Sequence, residues 1–301
     1  MLGDALTPEA LRWLAAAWLL LAGAAVGSFL NVVVYRLPAG MSIIRPGSRC
    51  PMCLHPIRWY DNLPVLSWIL LRGQCRDCRG PISLRYPLVE AGTAVVFLAL
   101  GAVDLLGGRD HLPMRFGGWA LGVDGICRPF GIGRTLPQQG GVDLYHLLLL
   151  CTLLAAALIV VDGNRPPWKL FLPAVGIGLL APAAWPWLHP VAAGTGPWAG
   201  PLAGLVDGLA GLAAGAVLGG LATAFQPRLP RERFALAAAA AGVVLGWQAA
   251  VAVVIAAAVA HRLVRLAAKS APPLARIPAT AWLAADALAW ILAWARLVPG
   301  P

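Results

Sequence analysis

The sequence predicts an all-α polytopic membrane protein, and its composition, its long apolar runs and one cysteine-bearing basic loop lead to that fold class. Of the 301 residues, 59% are apolar and 12% are charged, and the mean hydropathy is +0.75. Soluble domains carry roughly twice that share of charge, so the composition places the chain in a bilayer. A net charge of +10 would otherwise suggest nucleic acid, but the arginines lie in loops between the apolar runs. We therefore expect a lipid bilayer, and no nucleic acid, among the partners.

The apolar runs predict about eight transmembrane helices, because a helix needs about 20 apolar residues to cross a bilayer. Residues 234 to 266 are apolar for too long to form one span, and Gly246-Trp-Gln248 supplies a turn and an aromatic anchor. We therefore expect a short helix before Gly246 and another after Gln248. The other runs lie at 11–34, 86–107, 142–162, 169–189, 199–225 and 279–297.

The distribution of lysine and arginine predicts how these spans are oriented, since cytoplasmic loops hold most basic residues. With the N-terminus outside, eight spans place 17 of the 23 basic residues in the cytoplasm, whereas seven spans move those after His261 outside. Acidic residues before the first run, without a basic segment, favour a permanent span over a cleaved signal. We expect an N-terminal region 1–107 with the cytoplasmic loop 36–85, an outer loop 108–141, and a helical domain 142–301.

The loop 36–85 contains two Cys-x-x-Cys pairs, Cys50-Pro-Met-Cys53 and Cys75-Arg-Asp-Cys78. Four thiolates delivered by two tight turns match the tetrahedral sulfur coordination that Zn²⁺ prefers. Two local disulfides or four inert thiols are the alternatives, and a reducing cytoplasm favours the metal over both. We expect a structural zinc with a closed coordination shell, which leaves no open position for catalysis.

Several motifs around these cysteines resemble the bacterial prepilin leader peptidase/N-methyltransferase family. They are Gly27-Ser-Phe-Leu-Asn31 through Arg36-Leu-Pro38, Trp59-Tyr-Asp-Asn-Leu-Pro64, Leu71-Arg-Gly73 and Ile82-Ser-Leu-Arg-Tyr-Pro-Leu-Val-Glu90. The resemblance continues more weakly through Asp162, Asp207, Gly246-Trp-Gln248 and Arg276-Ile-Pro278. It implies a multi-pass enzyme of the bacterial cytoplasmic (inner) membrane that cuts the leader from type IV prepilins and type II secretion pseudopilins. Many members of the family also methylate the new N-terminus with S-adenosylmethionine.

The resemblance also implies an aspartic-type endopeptidase mechanism with two membrane aspartates, one after the outer-loop helix and one in a Gly-x-Gly-Asp motif. Two close carboxyl groups do not both ionise easily, so one holds a proton while the other activates water. Asp162 stands at the first position, although a carboxylate at a helix end can also simply lie in the wet interface.

The second aspartate is missing, because the sequence contains no Gly-x-Gly-Asp. Counting back from Gly246-Trp-Gln248 places that motif in Pro230-Arg-Glu-Arg-Phe234, where Glu232 is the single acid, two residues out of register. Glu232 is therefore the candidate second acid, and the alternative is an interfacial glutamate paired with a neighbouring arginine.

Two functions follow from this pattern. The first is a prepilin leader peptidase-like protein with Asp162 and Glu232 as its acids, whose activity the missing aspartate weakens or abolishes. The second is a non-catalytic relative that binds prepilins or assembly components. A channel or transporter is disfavoured, because no inverted repeat is visible and few charges fall within the spans.

Overall fold

The computed structural model describes residues 7–102, 119–121, 127–129, 136–184, 188–189, 201–226, 232–267 and 276–297. The chain divides into two compact units, Met1–Gly107 and Gly108–Pro301, and each is described by itself. Most of the predicted outer loop 108–141 lies outside the described residues. Its described part comprises two short antiparallel strands, β1 (Trp119–Leu121) and β2 (Cys127–Pro129), and the start of the following helix.

The first unit is a helical hairpin that carries the cysteine loop between its two arms. Helix α1 spans Pro8–Arg36, a short α2 spans Leu66–Leu70, and α3 spans Arg85–Gly101. The arms pack closely, because a Cβ on Gly23 would lie 2.7 Å from the Ala94 Cα and one on Gly27 would lie 2.7 Å from the Glu90 Cα. Small residues thus let the two backbones approach, as they do in membrane helix pairs.

The second unit is built from helices alone, apart from its short β-hairpin, in the residues that the structure describes. They are α4 (Leu136–Val161), α5 (Leu172–Ala184), α6 (Pro201–Phe225), α7 (Phe234–Leu245), α8 (Trp247–Leu266) and α9 (Ala279–Leu297). The break expected around Gly246 is confirmed: this glycine has φ +82° between the end of α7 and the start of α8. The second helix begins at Trp247, two residues earlier than the sequence predicted.

Within the described ranges, four helices are long and apolar enough to cross a membrane: Glu9–Arg36, Gly140–Val161, Leu202–Phe225 and Trp247–Leu266. Shorter apolar helices cover Trp168–Ala184, Phe234–Leu245 and Ala279–Ala293. The all-α fold and the multi-pass membrane character are therefore confirmed, while the count of eight spans stays a prediction. The 12 residues of α7 extend over only about 18 Å, against about 30 Å for the hydrocarbon core.

Helices α6 and α7 of the second unit pack closely along their length, and they run antiparallel. A Cβ on Gly211 would strike the Gly242 carbonyl, one on Gly215 the Ala238 carbonyl, and one on Gly219 would lie 2.8 Å from the Ala235 Cα. The facing α7 residues from Ala237 to Leu245 are all buried. Glycine and alanine thus bring the two backbones into contact, and the start of α7 lies beside the end of α6.

This contact predicts opposite effects for two glycines of α6. Gly215→Ala forces a methyl group into the Ala238 carbonyl, so overpacking should lower the free energy of unfolding by about 1–3 kcal/mol. Gly220→Ala is the matched control, because its Cβ meets no described atom within 4 Å and alanine favours a helix by up to about 1 kcal/mol. Thermal midpoints of both variants in one detergent measure the difference, and equal midpoints would contradict the close contact.

Candidate functional site

The structure brings the four predicted metal ligands together. The Sγ atoms of Cys50, Cys53, Cys75 and Cys78 all lie within 4.8 Å of one another, and those of Cys50 and Cys78 are 3.8 Å apart. A tetrahedral metal with metal–sulfur bonds of about 2.3 Å separates its sulfur ligands by about 3.8 Å. The four cysteines are thus arranged as a group that can hold a metal ion such as zinc.

Two turns of the same conformation build this cluster. In the first, the Cys50 N–H donates to the His55 carbonyl at 3.0 Å and the Leu54 N–H to the Cys50 carbonyl at 2.9 Å. In the second, the Cys75 N–H donates to Gly80 at 2.8 Å and the Arg79 N–H to Cys75 at 2.9 Å. Leu54 and Arg79, one after each second cysteine, adopt φ +60° and +58°. Each Cys-x-x-Cys is therefore held by local backbone bonds that do not depend on the other.

The sulfur atoms influence one another's ionisation. The backbone N–H of Cys53 is the main cause that lowers the pKa of the Cys50 thiol to about 7. At Cys78 the Gly80 N–H also favours the thiolate, but desolvation and the three neighbouring thiols outweigh it and raise the pKa to about 12. Four negative sulfurs this close repel one another, and a divalent cation at their centre removes that cost.

Ion pairs connect the two turns of the loop. Asp61, which follows the first turn, accepts two hydrogen bonds from the Arg76 Nε at 2.9 and 3.0 Å and one from its Nη2 at 2.6 Å. Arg58 Nη2 donates to Asp77 at 2.9 Å. The Arg76 guanidinium also keeps the pKa of Asp61 below its usual value. Because Arg76 and Asp77 lie between Cys75 and Cys78, these pairs place the second turn against the first.

Side chains from the sequence motifs that surround the cysteines anchor the cysteine loop to the helical hairpin. Glu90 on α3 accepts a 2.6 Å hydrogen bond from the Val65 N–H, and Val65 has φ +62°, which is strained for a β-branched residue. Arg36 at the end of α1 donates to three carbonyls of the loop, the shortest bond reaching Pro46 at 2.7 Å. Asn31 donates to the Tyr86 carbonyl at 3.3 Å. These motif residues fix where the loop leaves and re-enters the hairpin.

Asp162 lies at the C-terminus of α4 and is exposed. The helix ends in a Schellman motif, in which the Gly163 N–H donates to Val160 at 2.9 Å and the Asn164 N–H to Ile159 at 3.0 Å. Gly163 supplies the left-handed conformation that this motif requires, with φ +78°. The local sequence thus places the Asp162 carboxyl at the very end of the helix.

Glu232 is buried, and its carboxylate binds the start of α9. Its Oε2 accepts a 3.1 Å hydrogen bond from the Thr280 N–H. Burial raises the pKa of Glu232 from its usual value, against the opposing effects of the α9 amides and the Arg265 charge. Glu232 thereby satisfies amides that a helix N-terminus otherwise leaves without partners. Among the described residues, Glu232 forms no ion pair with Arg233, and Arg231, the other arginine expected as its partner, lies outside them.

Phe234, two residues further on, occupies the position that an ungapped count assigns to the missing aspartate, and its side chain is fully buried. Beside it lies a cleft of about 400 Å³, which we call the arginine cleft. Its lining residues are Arg165, Thr223, Arg233, Phe234, Ala235 and Leu236. The turn after Asp162, the end of α6 and the start of α7 therefore meet at one place.

A buried polar network in the second unit was not predicted as such. Asp207 accepts a 2.6 Å hydrogen bond from His189 Nδ1, and the Nε2 atom lies 3.0 Å from the Val243 carbonyl. The Tyr145 hydroxyl lies 3.3 Å from the same Nε2. These contacts hold the Asp207 carboxylate in the buried interior of the unit. The sequence signal that could have revealed this network was the presence of a histidine and a tyrosine within otherwise apolar stretches.

Comparisons with known proteins place these features in a family. The family profile described as "Bacterial Peptidase A24 N-terminal domain" matches residues 21–103, which hold the hairpin and the cysteine loop. A protein of Klebsiella pneumoniae named "Prepilin leader peptidase/N-methyltransferase" is 36% identical over 166 residues, covering 51% of this chain and 72% of that protein. The chain belongs to the prepilin leader peptidase/N-methyltransferase family.

Further relatives of the same name delimit how far the similarity reaches. The protein of Myxococcus xanthus is 56% identical over 84 residues, which are 28% of this chain and 25% of that protein. The protein of Aeromonas hydrophila is 34% identical over 192 residues, which are 54% of this chain and 65% of that protein. Two of these three alignments thus span less than two thirds of the relative's length. No solved structure matches the chain.

Proposed function

We propose that this chain binds type IV prepilins or type II secretion pseudopilins in the membrane and cleaves their leaders weakly or not at all. Family membership carries the first half of this proposal, because the relatives are named prepilin leader peptidases. The residues at the two acid positions support the second half, which is weak or absent cleavage. Asp162 is exposed at the end of α4, whereas an ungapped count assigns the position of its partner to Phe234, which is buried.

The proposed catalytic pair is Asp162 with Glu232, and its weakness is chemical. Aspartic hydrolysis needs one carboxyl as base and one as acid toward the same water. The Glu232 carboxylate would have to leave the α9 amides before it met a substrate, and leaving them exposes a helix N-terminus. A single membrane carboxylate loses most of the acid–base contribution, on the order of 10² to 10⁴ in rate.

A non-catalytic relative that binds prepilins or assembly components is the second candidate. The contact between Glu232 and Thr280 favours it, since the one acid near the missing motif is committed to holding α9. Methyl transfer from S-adenosylmethionine is a further activity that the relatives' name suggests, and we propose it for this chain on that ground alone.

Leader release from a purified prepilin distinguishes these alternatives. We expect the wild-type protein to release leader slowly, and Asp162→Asn to abolish any release, because Asp162 is the single acid at the end of α4. Glu232→Gln keeps a side-chain carbonyl that can still accept the Thr280 N–H, so its fold should be unchanged.

The Glu232→Gln variant therefore reports on catalysis separately from the contact with α9. A large loss of cleavage in Glu232→Gln with an unchanged thermal midpoint would support the Asp162–Glu232 pair. Equal cleavage in wild type and Glu232→Gln, abolished in Asp162→Asn, would place the second acid elsewhere. Fast cleavage that survives Asp162→Asn would overturn the assignment of Asp162.

We also propose that the metal held by the cysteine loop is a structural zinc, with Cys50, Cys53, Cys75 and Cys78 as its ligands. The sulfur spacing fits a tetrahedral site, and four thiolates suit zinc. The ion would supply folding energy to a loop that buries few of its own side chains.

Elemental analysis of the full-length protein should find one zinc per chain. Cys75→Ser should release it and make the loop 36–85 more sensitive to proteolysis, because a structural site with three thiolates binds the ion much more weakly. Cys151→Ser is the control, since this thiol lies on α4 outside the cluster. A zinc-free wild-type protein with two disulfides by mass would contradict the proposal.

The orientation in the bacterial inner membrane is part of the same proposal. We propose that residues 36–85 and 262–276 both face the cytoplasm, since the eight-span arrangement places most basic residues there. A reporter fused near residue 270 should behave as cytoplasmic in intact cells. Labelling of that segment by an impermeant reagent added outside would contradict this orientation.

A further inference from the structure

Among the lining residues that the structure describes, the arginine cleft carries two cations and no acid. Arg165 comes from the turn after α4 and Arg233 from the residue before α7. In the described part of the chain, neither guanidinium forms an ion pair with a carboxylate. The nearest acid in sequence to Arg233 is Glu232, which binds the α9 amide instead. Two cations at one cleft repel each other, and an anion between them relieves that repulsion.

Arg233 is held in place by its backbone, while the Nε atom of its side chain lacks a hydrogen-bond partner. Its carbonyl accepts the Leu236 N–H at 2.9 Å and the Ala237 N–H at 3.1 Å, which fixes the residue against the first turn of α7. Its Nε is buried and has no hydrogen-bond partner among the residues that the structure describes. A buried donor without a partner is costly, so such a group calls for an acceptor.

The side chains around the cleft are apolar and exposed. Leu221 and Phe225 on the last turns of α6 are 53% and 77% exposed, and Leu236, which lines the cleft, is 40% exposed. Helices α6 and α7 are among the apolar helices of the chain, so these side chains lie where a membrane helix ends. A cationic cleft beside exposed apolar side chains matches an amphiphile with an anionic head group and acyl chains.

We propose that Arg165 and Arg233 bind the phosphate group of an anionic membrane phospholipid in the arginine cleft. The guanidinium forks suit phosphate oxygens, and the exposed α6 and α7 side chains would lie along the acyl chains. The positive end of α7 adds a smaller attraction. This inference goes beyond the proposed function and does not depend on leader cleavage.

Native mass spectrometry of the full-length protein tests this proposal directly. The delipidated protein is titrated in separate arms with short-chain phosphatidylglycerol, phosphatidylcholine, inorganic phosphate and an acidic peptide. We expect one phosphatidylglycerol per chain, and about fivefold weaker binding for Arg165→Gln and for Arg233→Gln. Lys169→Gln is the matched control, because it removes a charge from the same connecting segment outside the cleft and should leave binding unchanged.

The arms separate the sources of the anion. Arginine-dependent binding of phosphatidylglycerol without a response to inorganic phosphate supports a lipid head group, and a response to both supports a phosphate site that free phosphate also enters. Binding that is equal in both arginine variants and Lys169→Gln overturns the proposal, as does a response to the acidic peptide alone. Arg233→Lys, which keeps the charge at the φ +50° position, should restore part of the binding and shows that a loss in Arg233→Gln is not misfolding.

Discussion

The close contact between α6 and α7 is the constraint on which the second unit depends. Because glycine faces a carbonyl at two points of this pair, the backbones cannot slide or separate without losing contact along the whole interface. The start of α7 is therefore fixed beside the end of α6, together with Glu232, Arg233 and Phe234. The cleft and the support of α9 both follow from that position.

The structure of the cysteine loop depends on two opposing effects. The four sulfur atoms repel one another when ionised, and local hydrogen bonds and ion pairs hold them together. Each of its two turns is held by its own backbone hydrogen bonds, so each turn positions two sulfur atoms without a bound metal. The ion pairs of Asp61 with Arg76 and of Arg58 with Asp77 then hold the turns face to face. Exposed ion pairs contribute little individually. Joined to the buried Glu90 contact, they keep mutually repelling thiols close enough to share a cation.

Much of this architecture could be predicted from the sequence because its causes are local. Long apolar runs form helices, Gly246 breaks one of them, and Gly163 ends α4 directly after Asp162. The spacing of the cysteines likewise fixed which four would meet. The contact between Glu232 and Thr280 was not predicted, because it joins residues 48 positions apart and depends on where α9 begins. The partnership of His189 with Asp207 was missed for the same reason, since no sequence period connects a loop to a helix.

The segment in which an ungapped count places the missing Gly-x-Gly-Asp combines a left-handed backbone position with side chains that differ from that motif. An ungapped count places Arg233 where the second glycine stands, and Arg233 adopts φ +50°, a conformation that glycine reaches without strain. An arginine there costs about 1 kcal/mol, which the packing of α7 must offset. The next residue, Phe234, fills the buried space with a ring instead of presenting a carboxyl. The one acid in this segment, Glu232, turns toward the amides of α9, and its carboxylate stabilises the start of that helix. The side chains at this turn thus supply a cation to the cleft and a buried ring to the core, while the neighbouring carboxylate holds the start of α9.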